Sequence, residues 1–219
     1  MNINKKDKRD AAYYSRARTW PLLFNLKKSS KVLDIGCGQG ILGQYLKEEV
    51  NANVCGLEIT SDNYEIASKV LDKTMLDDIE TMEPSKLGSN FDYVIFSDSL
   101  EHLVDPTQVL HKIKSIMSAD GRLLIALPNV RNFRVVIPLL FRDQWKYTDE
   151  GLLDRTHLRF FTLTSIIELL QESGYVVEGF YYDLPITSKV GILNILTFGV
   201  FKRILTSHYF IKACIQKKS

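Results

Sequence analysis

Short apolar runs rich in β-branched residues alternate along the chain with segments whose apolar positions recur every three or four residues. This pattern predicts repeated βαβ units around a parallel sheet. Lys31-Val-Leu-Asp-Ile35 reads as a buried strand, followed by a glycine-rich turn and by Ile41, Leu42, Tyr45 and Leu46 on one helical face. Asn53 to Glu58 reads as the second strand. A helix is expected to open at Asp62, capped by that carboxylate with Glu65 reaching back, and to carry Ile66, Ala67 and Val70 inward. Lys73 to Leu76 is the third strand and Phe91 to Ser97 the fourth. Asp105-Pro106 then starts a helix with an acid at the N-cap and proline at the first helical position. Asp120-Gly121 is a turn, and Arg122 to Leu127 is a fifth strand stopped by Pro128.

The alternation breaks between residues 129 and 161, a stretch too long for an ordinary βα connection and rich in aromatic and basic residues, which is read as a lid that binds the acceptor. Ser165 to Glu168 supplies a capping box for a helix ending at Gly174, and Tyr175 to Tyr182 and Tyr209 to Gln216 are two closing strands. Between these strands lies an apolar insertion, residues 184–206, with a basic end at Lys202 and Arg203. Core or interface packing is its preferred reading, with a lid helix, a contact between two copies or a foot on a membrane surface as the uses it could serve. Residues 1–28 are read as an N-terminal helical cover on a single domain of 219 residues.

Composition narrows the class. A hydrophobic fraction of 45%, 25% charged residues and 11% aromatics exclude a disordered or collagenous chain. The net charge of +2 does not call for nucleic acid, and the basic N-terminal cluster from Lys5 to Lys31 reads as a solvated face. Three widely spaced cysteines in apolar runs, the absence of an apolar leader, and a longest apolar stretch (Val190 to Phe201) shorter than the roughly 17 residues that span a bilayer point to a cytoplasmic protein.

Val32-Leu-Asp-Ile-Gly-Cys-Gly-Gln-Gly40 carries most of the chemistry. Glycines at alternate positions after a buried strand let a ligand approach the backbone at the mouth of the sheet. A dinucleotide fingerprint needs a glycine where Ile41 stands, and Asp34 would repel a pyrophosphate while attracting a cation. S-adenosylmethionine, with an ammonium and a sulfonium, suits this arrangement better than NAD. Glu58, ending the next strand, is placed to accept both hydroxyls of an adenosine ribose.

On these residues the chain resembles the class I S-adenosylmethionine-dependent methyltransferases. VLDIGCGQG matches that family's glycine motif, GLE its ribose acid and LDDIE its acidic third-strand segment; FDYVIFSDSLEHLVDP matches the fourth strand and the loop beneath the methyl group, and GRLLIALPN the fifth strand. The resemblance implies a Rossmann-like α/β fold, doubly wound, with a seven-stranded sheet of order 3-2-1-4-5-7-6 whose last strand is antiparallel. It implies cofactor contacts from Asp34, Gly36, Cys37, Gly38, Glu58, Ile59 and Ser97, with Asp78 and Ile79 at the adenine and Tyr14 folded over the ligand by the N-terminal segment. LLDRTHLRFFT, residues 152–162, resembles MetW-type proteins and, more, the methyltransferases of polysaccharide gene clusters.

Methyl transfer to oxygen needs an aligned nucleophile, an exit for its proton and a site that excludes water. His157 is the preferred base, with His102 second and Glu101 beside it. Asp98-x-x-Glu101-His102 also resembles the pattern by which quinone O-methyltransferases hold a divalent metal, so a metal is the alternative to a protein base and is not the favoured reading of the sequence. Arg131, Arg134, Arg142, Lys146, Arg155 and Arg159 suit a phosphorylated acceptor, and Trp145 and Tyr147 a stacked ring. The sequence reading is O-methylation of a sugar or nucleotide-activated sugar in surface-polysaccharide assembly. Its rivals are metal-assisted O-methylation of a catechol or quinone precursor and a cofactor-binding subunit that needs a partner enzyme.

Overall fold

A computed structural model of the chain describes residues 20–184 and 188–217. Tyr14 and the rest of residues 1–19 lie outside the described residues. Seven strands form one sheet in the order β3-β2-β1-β4-β5-β7-β6. They are β1 (Lys31–Ile35), β2 (Asn53–Glu58), β3 (Lys73–Leu76), β4 (Phe91–Ser97), β5 (Met117–Pro128), β6 (Tyr175–Tyr182) and β7 (His208–Ile215). The pairs β1·β2, β1·β4 and β2·β3 are parallel, and β6·β7 is antiparallel. The helices are α1 (Ile41–Val50), α2 (Ser61–Ala67), α3 (Pro106–Ile113), α4 (Phe133–Arg142), α5 (Leu163–Glu172), α6 (Lys189–Leu196) and α7 (Lys202–Leu205). By internal contacts the chain divides into two compact units, one of Met1–Ser97 with Lys112–Leu124 and one of Asp98–His111 with Ile125–Ser219.

In the first unit β1, β2 and β4 are near-continuous apolar runs because both faces of a parallel strand are covered; Val32, Leu33, Val54, Val94, Ile95 and Phe96 have no exposed surface. Residues 20–28 of the expected N-terminal cover begin with a 3-10 turn, Trp20–Phe24, that buries Trp20, Pro21 and Phe24. The helix expected from Asp62 starts one residue earlier and ends at Ala67. Its N-cap Thr60 gives no side-chain cap, because the Thr60 hydroxyl instead donates to Glu58 Oε1 at 2.7 Å. In so short a helix Ile66 is not carried inward but stays 43% exposed, while Ala67 is buried. Asp120-Gly121 is not a turn between elements: β5 runs through it, and a Cβ on Gly121 would lie 2.9 Å from the carbonyl oxygens of Phe91 and Ser118.

In the second unit Asp105 caps α3 as expected, its Oδ1 accepting the Gln108 amide at 2.9 Å. The capping box of α5 sits three residues before the expected one: Thr162 Oγ1 accepts the Ser165 amide at 3.2 Å and Ser165 Oγ accepts the Thr162 amide at 2.9 Å. The stretch read as a lid contains α4, capped by Asn132. The apolar insertion forms α6 and α7; Leu205 at its end is buried, whereas Leu196 is 71%, Phe198 96% and Val200 75% exposed.

Two buried amides tie the stretch after β5 to the end of α7. Asn129 Nδ2 donates to the carbonyls of Arg203 and Thr206 at 2.9 and 3.0 Å, and Asn132 Nδ2 to those of Leu205 and Thr206 at 3.2 and 2.7 Å. Asn132 also accepts the Arg134 amide at 3.0 Å. Asn132→Ala removes the cap and strands buried carbonyls, so it is expected to cost about 2–4 kcal/mol. Calorimetric melting should show a midpoint lower by about 4–16 °C for a chain of this size.

Candidate active site

Near its end β1 carries a carboxylate that water does not reach. Asp34 is 1% exposed and its Oδ1 has no hydrogen-bond partner. Burial first, and the charge of Glu58 second, push its carboxyl up to about 7. The turn that follows has positive φ at Gly36 (74°), Gly38 (53°) and Gly40 (78°). The amides of Gly36 and Cys37 donate to Leu57 O at 2.8 and 3.0 Å, which seats the turn over β2. Gly40 is also held by space, since a Cβ there would lie 2.9 Å from Val70 Cγ2 and 3.2 Å from Ala67 Cα. Cys37 is buried, and burial raises its thiol far above the ordinary range, so it is packing and not a nucleophile.

Glu58 does more than the sequence suggested. Its Oε2 accepts the Gly38 amide at 2.9 Å, and its Oε1 accepts the Thr60 amide and hydroxyl at 3.0 and 2.7 Å. A carboxylate offers about four acceptor positions, so a ribose hydroxyl still has room, but Glu58 also shapes the glycine turn. Thr60, as its partner, was not legible in the sequence. Ser97, at the end of β4, accepts the indole N–H of Trp20 at 3.2 Å. Asp78 is half-buried and its Oδ1 accepts the Glu80 amide at 2.8 Å, Ile79 is buried, and Ile59 is 66% exposed. These groups fit S-adenosylmethionine on one observation above all: a fully buried carboxylate oxygen without a partner is what an ammonium completes.

The second unit gathers the other sequence candidates. Glu101 is 1% exposed and neither carboxylate oxygen has a hydrogen-bond partner. Burial first, and then Asp98, raise its carboxyl well above the usual range. Its carbonyl accepts the amides of Leu158 and Arg159 at 2.9 and 3.0 Å, which brings His157 to it: His157 Nε2 lies 3.9 Å from Glu101 Oε1. The rings of His102 and His157 meet edge to face with centroids 4.9 Å apart. His102 Nδ1 lies 3.1 Å from Thr156 O, a contact that a protonated Nδ1 satisfies and that leaves Nε2 with a free lone pair. Burial, then His102, lower the pKa of His157, keeping it neutral near pH 7.

Glu101, His102 and His157 offer ligand atoms that all lie within 4.8 Å of one another. One carboxylate and two imidazoles form a borderline donor set that suits a divalent ion such as Mn, Fe or Zn, and three ligands leave positions open for a substrate oxygen. The orphaned oxygens of Glu101 fit a cation in the same sense that Asp34 fits an ammonium. Asp98, grouped with Glu101 and His102 on the sequence pattern, is not one of the three residues whose ligand atoms converge, although its charge still acts on Glu101. It holds φ of 52° and lies 3.4 Å from His208 Nε2, whose Nδ1 is 3.9 Å from Asp183. His208 was missed in the sequence because nothing local marks it; only the antiparallel return of β7 brings it to Asp98.

Of the basic residues expected to recognise phosphate, Arg155 pairs with Asp149 at 2.7 Å and Arg159 donates to Val104 O. Trp145 packs edge-on against Phe160 with centroids 5.2 Å apart, and Tyr147 lies beside the same ring.

The sheet order, the glycine turn with an acid before it, and the acid ending the next strand define the class I methyltransferase fold. The chain belongs to the methyltransferase-domain family, whose profile matches residues 8–178. It is 30% identical over 125 residues to a ubiquinone biosynthesis O-methyltransferase of Haemophilus ducreyi, covering 50% of this chain and 52% of that protein. A protein of the same name from Vibrio atlanticus is 30% identical over 72% of this chain and 68% of its own length. The chain spans about half the length of the first curated relatives it matches. An S-adenosylmethionine-dependent methyltransferase from Archaeoglobus fulgidus superposes with a TM-score of 0.63 at 20% identity, covering 94% of this chain and 93% of that one. Membership in this family implies S-adenosylmethionine as the cofactor.

Proposed function

We propose that this chain transfers the methyl group of S-adenosylmethionine to a hydroxyl oxygen, and that Glu101, His102 and His157 hold a divalent cation that activates that hydroxyl. The buried Glu101 carboxylate, with no hydrogen bond to either oxygen and His157 Nε2 3.9 Å from one of them, is the observation that carries the reading. When bound, S-adenosylmethionine supplies an electrophilic methyl whose sulfur leaves as a neutral thioether, so no acid is needed for the leaving group. Asp34 takes the ammonium, Glu58 a ribose hydroxyl, and Gly36 and Gly38 give the backbone room for the ligand. A cation held by Glu101, His102 and His157 would lower the pKa of the acceptor hydroxyl. His157, neutral because buried, is in the form that either ligates a cation or takes a proton.

For the acceptor we favour a phenolic hydroxyl beside a second oxygen, as in a catechol-type quinone precursor. Two adjacent oxygens fill two open positions on one cation, and the relatives named for ubiquinone biosynthesis methylate oxygen by name. A sugar or nucleotide-activated sugar is the second reading, supported by the aromatic platform of Trp145, Tyr147 and Phe160 among exposed basic residues. The deciding experiment follows S-adenosylhomocysteine release by mass spectrometry with catechols and with nucleotide-sugars, each with and without EDTA. We expect turnover on a catechol that EDTA abolishes and Mn restores. EDTA-insensitive turnover on a nucleotide-sugar would overturn both the acceptor and the metal. Tight cofactor binding without turnover until another protein is added would favour the partner-dependent subunit.

A further inference from the structure

The second unit exposes more apolar surface than a soluble domain needs, and it does so in two segments. In the first, α4 and the chain after it, Leu140 and Phe141 are 70% and 76% exposed. The second runs from α6 to α7, where Ile195, Leu196, Phe198 and Val200 are 56%, 71%, 96% and 75% exposed. Asn129 and Asn132 join the two, since the amide that caps α4 also holds the carbonyls of Leu205 and Thr206 at the end of α7. Neither segment is long and apolar enough to cross a membrane.

The charge on these segments identifies what covers them. Residues 131–147 and 188–205 carry seven lysines and arginines and a single carboxylate, Asp143. The cations of α6 and α7, Lys189, Lys202 and Arg203, are all exposed beside the apolar side chains. A second copy of this chain would bring two such cationic faces together, which costs energy, and a nucleic acid would leave Leu196 and Phe198 without an apolar partner. An anionic lipid surface answers both features. Apolar side chains enter the headgroup boundary, and each nearby Lys or Arg adds attraction to acidic lipid.

We propose that the α4 segment and the α6–α7 segment together form a docking surface for an anionic membrane. The proposal does not depend on which acceptor the chain methylates. It gives α6 and α7, which contribute little to the core, a purpose: two weak signals, apolar insertion and basic attraction, combine into reversible binding.

Vesicle flotation tests it, with the full chain and liposomes of phosphatidylcholine alone or mixed with phosphatidylglycerol. The chain should float with the anionic vesicles and release as salt screens the charges. Leu196→Asp with Phe198→Asp, and separately Lys189→Glu with Lys202→Glu, should each lower partitioning about tenfold or more. Both variants should keep the melting temperature and S-adenosylmethionine affinity of the parent, because these side chains are exposed and the residues assigned to the cofactor lie in the first unit. Failure to float with anionic vesicles would overturn the proposal, as would partitioning unchanged in the variants. A concentration-dependent dimer in sedimentation velocity, abolished by Leu196→Asp with Phe198→Asp and blind to lipid, would assign the patch to self-association instead.

Discussion

Asp34→Asn is expected to raise the melting temperature of the cofactor-free protein at pH 8 while weakening S-adenosylmethionine binding by about 1–3 kcal/mol. Both effects come from one buried oxygen. The carboxyl titrates near 7 in the fold, against 3.8 as its ordinary value, because burial and then Glu58 oppose its charge. A folded-state pKa raised in this way contributes stability that is fully present below about pH 4 and is lost as pH rises through about 7. At pH 8 the cofactor-free fold therefore carries an unpaired buried charge, and asparagine removes it with little change of volume. The gain is at most about 4 kcal/mol, or roughly 2–4 °C in midpoint for each kcal/mol realised. Calorimetric melts at pH 5 and pH 8 check it: the parent loses stability between them, and the variant loses less. A variant that melts lower than the parent at pH 8 would contradict this assignment.

Glu101→Gln and His157→Ala should each lower turnover by about 10²–10⁴-fold while leaving S-adenosylmethionine affinity unchanged. Glutamine keeps the volume and the buried site but cannot bind a cation as a carboxylate does, so its titration with Mn or Zn should show weakened binding as well. Glu101 is held well above the usual carboxylate range by burial and by Asp98, a state that a bound cation reverses by favouring the ionised form. The same sign makes cation affinity rise with pH as the Glu101 proton is given up. Retained turnover in Glu101→Gln would reduce the buried acid to a packing element, and retained turnover in His157→Ala would return that ring to holding the 157–159 segment in place.

What was legible in the sequence was local. The strand-turn-helix from Lys31 to Leu46 was readable because its buried run, its glycines and its helix periodicity are contiguous. The acids at Asp34 and Glu58 were readable because each ends a strand. Chemistry made by burial or by distant contacts was not. Glu101 and His157 were candidates by type, yet the burial of Glu101 without a hydrogen bond to its carboxylate, and the long-range amides of Leu158 and Arg159 on its carbonyl that set His157 beside it, come from tertiary contacts. Trp20 on Ser97 and His208 against Asp98 depend on tertiary pairing. The helix expected to be capped by Asp62 shows how an error arose: it opens at Ser61 with Thr60 at the N-cap, and the Thr60 hydroxyl donates to the Glu58 carboxylate instead of capping. The apolar run from Val190 to Phe201 was assigned to core or interface packing, and its core half failed because sequence alone does not distinguish a covered face from an exposed one.

Isothermal titration calorimetry of the parent chain with S-adenosylmethionine and, in parallel, with NAD, at pH 6 and pH 8, tests the central claim most directly. A buried acid near pKa 7 at the mouth of the sheet selects a cationic donor, so S-adenosylmethionine should bind and NAD should not. Cofactor affinity should be tighter at pH 8, where Asp34 need not give up a proton to pair with the ammonium. Tighter binding of NAD than of S-adenosylmethionine, or an S-adenosylmethionine affinity that is the same at both pH values, would contradict the account.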